Sequence, residues 1–438
     1  AAPPAAPAGP SEVCGLADSP HACARTLTAE GLRAELQRGL DATVAKRGRP
    51  WLGPGTPAWD CVNFGAWVSE RRQLANGTLD RLHALHAVVQ ATSSGEACDP
   101  ERFPPLDAEE VALMVDLSRS SIGEEAERQS LSALPRLQDL FVSVSKLAHD
   151  MEQLSYLVLK GKLPHCFWRF VKAYISVIDT PLNAPFDAKT DDWALLQPSD
   201  WDHIGLVYST LIYFPALPAV GRVVNDNFDF SLARQQYHSS SHGLVVMDGL
   251  LSPKALDALL QFTLEATVWF ELKTGYIGAY MNQGFANDVL VQLVQELRIG
   301  FPDLIGDLEL QHMWAYKYNQ GSKGINVHAD DALLNLNFWV VPDSANRNSS
   351  SGGMVIYLKE PPAGFDALTF NNVGYGDIDL DAFAAGSPSI VIPYRQNRLV
   401  MFKSTLLHAT DEHDFFPGYE SRRVSVTFLF GKRLQQST

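Results

Sequence analysis

The stretch INVHADDALLNLNFWVVPD, residues 325–343, sets a histidine and two aspartates directly before an apolar, strand-like run. It reads either as a polar turn leading into a strand or as part of a metal site. Residues two apart on an extended segment point to the same side, so His328 and Asp330 can converge on one ion. Asp331 points the other way and is the weaker alternative carboxylate. The spacing alone does not choose, so the rest of the chain has to.

The chain has 438 residues, with 46% hydrophobic and 19% charged residues. That composition describes a globular protein of two or three domains. A net charge of −15 disfavours a phosphate-tracking nucleic-acid surface, although it leaves room for a local basic groove. No apolar run reaches the length of a membrane span. The chain starts without Met, which reads as a processed or trimmed end, and AAPPAAPAGP reads as extended. Cys14, Cys23, Cys61, Cys98 and Cys166 all lie in the first 166 residues and match no zinc module. Asn76-Gly-Thr and Asn348-Ser-Ser are N-glycosylation sequons. Together these features favour a lumenal or secreted glycoprotein with disulfides, against the alternative of a cytoplasmic protein with free thiols.

Three regions follow. Residues 1–24 are an Ala/Pro-rich flexible segment, 25–240 a mainly helical domain, and 241–438 a β-rich domain. In the helical region Leu32, Leu36, Leu40 and Val44 make one apolar stripe. The run after Pro135 reads as a long helix stopping near Gly161, and DWDHIGLVYSTLIYFPAL as a further apolar, helical stretch. Trp168, Trp193, Trp201 and Tyr208 read as core of this domain. From about residue 240, a short strand precedes a helix with Ser252 as N-cap and Pro253 at its first position. A second helix covers NDVLVQLVQELRIGF. Six short runs then alternate with turns: ELQHMWAYKY, LLNLNFWVV, GGMVIYL, PSIVIPY, NRLVMFKST and RRVSVTFLFG. The fold class is therefore α+β, a jelly roll (double-stranded β-helix) with supporting helices behind a helical N-terminal domain.

In the β region His408 ends the strand NRLVMFKST and lies 80 residues beyond His328. Two histidines and one carboxylate on one side of an ion leave open positions, the facial triad of non-haem Fe(II) oxygenases. Arg422 and Arg423 open the last strand. Alternation puts Arg423, Ser425 and Thr427 on one face and Val424, Val426 and Phe428 on the other. A guanidinium there suits the far carboxylate of a dicarboxylate that chelates iron.

This order of HxD, distal His and Arg resembles the 2-oxoglutarate/Fe(II)-dependent dioxygenases over roughly residues 243–432. LVVMDGLLSPKALDALL, YNQGSKGINVHAD and GGMVIYL are similar to the prolyl-4-hydroxylase-like branch. The closing RVSV resembles that of ten-eleven-translocation-type and AlkB-type enzymes. The resemblance implies Fe(II) on His328, Asp330 and His408. It selects Arg423 over Arg422 for 2-oxoglutarate, with Ser425 beside it and a hydroxyl from Tyr316 or, preferably, Tyr318. Dioxygen is the third co-substrate, with ascorbate an optional addition, and the products are succinate, CO₂ and a hydroxylated C–H bond. A peptide or protein side chain or a small molecule is the expected substrate. A nucleobase is the alternative within the class, and a non-enzymatic binding module for glycan or protein the alternative outside it. Asn335 and Asn337 either line the site or satisfy strand ends, with Asn337 favoured. The gap between HxD and distal His is long for this family, and residues 359–390 are a lid or a plain surface insertion. GDIDLDAF there reads as a solvated loop before a calcium site. His312, His413, His238 and His242 read as ordinary polar or capping residues, the last two in a loop. Oligomeric state is left open.

Overall fold

The computed structural model describes residues 28–47, 141–179, 193–195, 200, 203–273, 275–319, 321–361 and 380–432. Cys14, Cys23, Cys61, Cys98, Asn76, Trp201, residues 1–24 and most of the proposed helical domain lie outside the described residues, as does the middle of the 359–390 segment.

The frame is a seven-stranded antiparallel sheet. Its strands are β3 (Leu244–Asp248), β4 (Glu271–Lys273), β5 (Tyr276–Tyr280), β6 (Leu310–Tyr318), β7 (Leu334–Trp339), β10 (Arg398–Lys403) and β12 (Val424–Phe430), in the order β3-β10-β7-β12-β6-β5-β4. A second sheet, in the order β11-β8-β9, contains β8 (Met354–Tyr357), β9 (Ser389–Ile392) and β11 (His408–Thr410). These two antiparallel sheets are the double-stranded β-helix. Period-2 alternation decides which face each residue takes. Met313, Ala315, Leu334, Leu336, Phe338, Val424, Val426 and Phe428 are buried in the main apolar core. Helices α5 (Pro253–Glu265) and α6 (Asp288–Gly300) contribute Leu259, Phe262, Leu290 and Leu297 to it. Their starts are capped as the sequence suggests: the Ser252 side chain accepts from the Ala255 N–H, and Asn287 accepts from Leu290.

That core crosses residue 241. Helix α1 (Ala29–Arg47) buries Leu32 and Leu36 in it, with Leu40 and Val44 partly buried along the same stripe. Leu211, Val223 and Phe228 join from the segment before β3. A second cluster holds α2 (Val144–Leu159) against α3 (Trp168–Asp179), through Leu154, Leu157, Phe167, Phe170 and Tyr174. Tyr208 is buried there, and Trp168 packs on it partly exposed.

Local readings differ from the sequence expectation in four places. The helix after Pro135 starts only at Val144, capped by the Ser143 hydroxyl, because Phe141–Ser143 forms β1 and pairs with β2 (Trp193–Leu195). DWDHIGLVYSTLIYFPAL is turns rather than helix over Gly205–Ser209. Val207 and Tyr208 N–H bond back to the Ile204 carbonyl, Ser209 at φ 52° breaks the helical path, and beyond it the Thr267 hydroxyl accepts from Ile212 and Tyr213, so tertiary pairing replaces a helix there. His238 lies on helix α4 (Phe230–Ser239), with Nε2 2.6 Å from Asp303, so the loop reading of HSSSH holds only beyond it. Strands β4 and β5 went unnoticed in FELKTGYIGAY, where Gly275 at φ 84° makes the turn. Within the 359–390 segment, Leu380–Ala384 form a short helix, α7. Leu380 and Ala384 pack on Val327, Ala329 and Leu407, behind the HxD turn. Among the described residues, no helix is long and apolar enough to cross a membrane.

Candidate active site

His328 and His408 are made neighbours by the backbone. His408 N–H donates to the His328 carbonyl at 2.8 Å, and His328 N–H donates back to the His408 carbonyl at 3.0 Å. Residues paired this way across two antiparallel segments project to the same side, and the two rings sit 4.1 Å apart. Each Nδ1 faces a carbonyl two residues back, Asn326 O for His328 and Leu406 O for His408, both at 2.9 Å. A carbonyl only accepts, so each Nδ1 carries the proton and each Nε2 keeps its lone pair. Those lone pairs face Asp330: Nε2 of His408 is 3.4 Å from Oδ2, and Nε2 of His328 is 4.0 Å from Oδ1. One ligand atom from each residue lies within 4.8 Å of the others, which suits three ligands at about 2.1 Å from one ion.

Electrostatics favour the ligating forms. Burial, and then the neighbouring His408, lower His328 to about 4, so it is neutral at pH 7. Burial would raise the Asp330 carboxyl, but the surrounding His408, His328 and His312 imidazoles hold it below the usual range. Asp331 is exposed, outside the cluster.

The cluster opens into a cavity between the two sheets. Arg423, Ser425, Tyr316, Tyr318 and Asn337 all line it, as does Asn335. Arg423 is anchored by Nε to the Gly352 carbonyl at 2.7 Å and by Nη2 to the Gly353 carbonyl at 2.9 Å. Its guanidinium lies 4.3 Å over the Tyr318 ring. The remaining nitrogen, Nη1, is buried with no partner among the described residues. Arg422 points elsewhere, onto Glu152 and Asn319. The Tyr318 hydroxyl shares a 3.1 Å hydrogen bond with Thr410, whereas Tyr316 pairs with Tyr280 at 2.7 Å. Gly353 admits no side chain, because a Cβ there would sit 1.9 Å from the Ile392 carbonyl oxygen.

The residues present fit an iron ion and a dicarboxylate. Two imidazole Nε2 atoms and one carboxylate supply the donor set. Besides Arg423 Nη1, the lining holds two other buried polar atoms without partners, Trp314 Nε1 and Trp339 Nε1. All three are donors, so the cavity is prepared for acceptor oxygens.

Asn335 was the residue most undervalued from sequence. Its Nδ2 donates to Asp330 Oδ2, and Asn337 stands one step further away, donating to Asn335 Oδ1. Trp339, two residues on, lines the same cavity, and the spacing 335, 337, 339 was the available signal. Trp314, Thr410 and Thr427 also line it.

No family model matches the chain, and no curated protein matches it in sequence. Solved structures do. It is similar to the non-heme alpha ketoglutarate dependent carbocyclase SnoK from nogalamycin biosynthesis, at 12% identity and TM-score 0.34, over 48% of this chain and 87% of that one. A Pseudomonas putida prolyl-4-hydroxylase matches at 14% identity and TM-score 0.32, over 47% of this chain and 99% of that one. HygX from Streptomyces hygroscopicus, with nickel and 2-oxoglutarate bound, matches at 13% identity and TM-score 0.33, over 46% and 87%.

Proposed function

We propose that this protein is an Fe(II)- and 2-oxoglutarate-dependent dioxygenase that hydroxylates a C–H bond. The observation that carries the reading is the pairing of a ligating-form His328–Asp330–His408 cluster with the unpartnered, buried Arg423 Nη1 in one cavity. His328, Asp330 and His408 would hold the iron. Arg423 would grip the distal carboxylate of 2-oxoglutarate, with Ser425 and the Tyr318 hydroxyl beside it. When bound, the iron supplies the oxidising chemistry, in which dioxygen and 2-oxoglutarate give succinate, CO₂ and one oxygen atom for the substrate. The protein orients: both imidazoles are locked by their Nδ1 protons, and the guanidinium is fixed at two carbonyls before any ligand arrives.

A peptide side chain or a small neutral molecule suits the remaining wall. Trp314 and Tyr316 make that wall aromatic, with Tyr280 packed against both, and Trp314 Nε1 is a donor waiting for a carbonyl or hydroxyl oxygen. The net charge of −15 disfavours a polyanionic substrate. A lumenal location belongs to the same proposal and rests on the sequons and cysteines; of these Asn348 is exposed in the loop before β8.

The test is succinate release from 2-oxoglutarate by Fe(II)-loaded protein in air. Wild type should release it, and His328→Ala and Asp330→Ala should not. Variants that release succinate at the wild-type rate overturn the assignment.

A further inference from the structure

Asp330 is the end of a buried chain of side chains. Thr427 Oγ1 donates to Asn337 Oδ1 at 2.6 Å, Asn337 Nδ2 donates to Asn335 Oδ1 at 2.5 Å, and Asn335 Nδ2 donates to Asp330 Oδ2 at 2.5 Å. Asn335 is 0% exposed, Thr427 5% and Asn337 8%. Neighbouring strands hold them in place, since Thr427 and Asn337 are directly opposed between β12 and β7.

The direction of this chain is not free. A ligating Asp330 is a carboxylate, and a carboxylate only accepts. The Asn335 group facing it must therefore be the amide NH₂, which turns the Asn335 carbonyl toward Asn337. The Asn337 amide is forced the same way, and its carbonyl is left for the one side chain that can donate there, the Thr427 hydroxyl. The charge at one end thus sets the orientation of all three side chains.

We infer that Thr427, Asn337 and Asn335 are a positioning relay that grips Asp330 through Oδ2 and fixes the angle at which its carboxylate faces the Nε2 atoms of His328 and His408. The inference rests on the metal-site reading above. None of the three is a metal ligand. Each acts only through Asn335, so their effects must be serial rather than independent. Hydrogen bonds to a ligating carboxylate fix its angle and raise metal affinity in proportion to how well they hold it. The function lies in the geometry of the ion, upstream of any substrate.

The test is Mn(II) affinity of the full chain, measured by titration calorimetry without 2-oxoglutarate. Asn335→Ala should weaken Mn(II) binding by about 10- to 100-fold. Thr427→Val, nearly the same shape, should weaken it by a smaller factor, and Thr427→Ser should restore it. The double variant Asn335→Ala/Thr427→Val should bind no more weakly than Asn335→Ala alone, a result that mere loss of packing would not give. Wild-type affinity in Asn335→Ala overturns the relay, and so does a double variant whose loss is the product of the two single losses. If Asn335→Ala does not fold, the Val and Ser variants at Thr427 decide: equal affinity in the two overturns it. Wild-type protein that takes up no Mn(II) overturns the metal site itself, and the relay with it.

Discussion

Replacing Arg423 tests the co-substrate reading without touching a metal ligand. Arg423→Lys keeps a positive charge but loses the fork that holds Gly352 and Gly353 with two nitrogens and leaves Nη1 for the ligand. Loss of one charge-assisted hydrogen bond is worth about 1.5–3 kcal/mol. At about 1.4 kcal/mol per decade, 2-oxoglutarate affinity should fall roughly 10- to 150-fold. Arg423→Met removes the charge and strands a buried carboxylate, an effect of about 3–5 kcal/mol, or roughly two to three and a half decades. The variant also leaves the Gly352 and Gly353 carbonyls without these donors, so its melting temperature should drop by a few degrees. The assay is anaerobic calorimetry of 2-oxoglutarate into Mn(II)-loaded protein, well below the melting transition, with Mn(II) affinity measured alongside. Mn(II) affinity should be unchanged, because Arg423 hydrogen-bonds neither Asp330 nor the two histidines. Arg423→Met that binds 2-oxoglutarate within threefold of wild type would refute the reasoning. So would equal losses of metal and 2-oxoglutarate, which would point to a collapsed cavity.

Three further outcomes are expected. Asp330→Asn should lose Mn(II) binding while Asp331→Asn keeps it, since only Asp330 belongs to the cluster; the same calorimetry checks both, and equal losses would contradict the assignment. Gly353→Ala drives a methyl into the Ile392 carbonyl, so thermal denaturation should show a loss of about 1–3 kcal/mol or more and 2-oxoglutarate binding should weaken with the displaced Arg423 anchor. His413 is lowered from 6.5 to about 4, first by burial and then by the Arg423 charge. Between those values the unfolded chain binds a proton that the folded chain refuses. Stability should therefore be full above about pH 6.5 and decline toward about pH 4, and denaturant melts of His413→Gln should show a flatter pH dependence.

Much of the candidate cluster was legible because alternation is local. Knowing that Asp330 shares a side with His328, and that Arg423 shares one with Ser425, needs only the period of a strand. What joins His328 to His408 is a cross-strand pair over 80 residues, which the order of motifs suggested but no local pattern specifies. The role of Asn335 was hidden for a similar reason. Its position on the face was clear, but its amide is assigned only once Asn337 and Thr427 are seen to close every other option. The turns at Gly205–Ser209 look helical because their apolar composition reflects burial in the second core, while the positive φ of Ser209 and the capture of Ile212 and Tyr213 N–H by Thr267 stop a helix from continuing. Short β4 and β5 carry too few residues for a period to show.

The place of β12 has a consequence for how the chain assembles. Among the described strands, the last in sequence, β12, lies in the middle of the large sheet, between β7 and β6. Until it arrives, β3-β10-β7 and β6-β5-β4 are two half-sheets, each with an open edge. A chain in which β12 has not yet docked would expose those edges to pairing with other chains. The strand that closes the sheet also carries Ser425 and Thr427, and Arg423 immediately precedes it. Closure of the large sheet therefore also brings Arg423, Ser425 and Thr427 to the wall of the cavity.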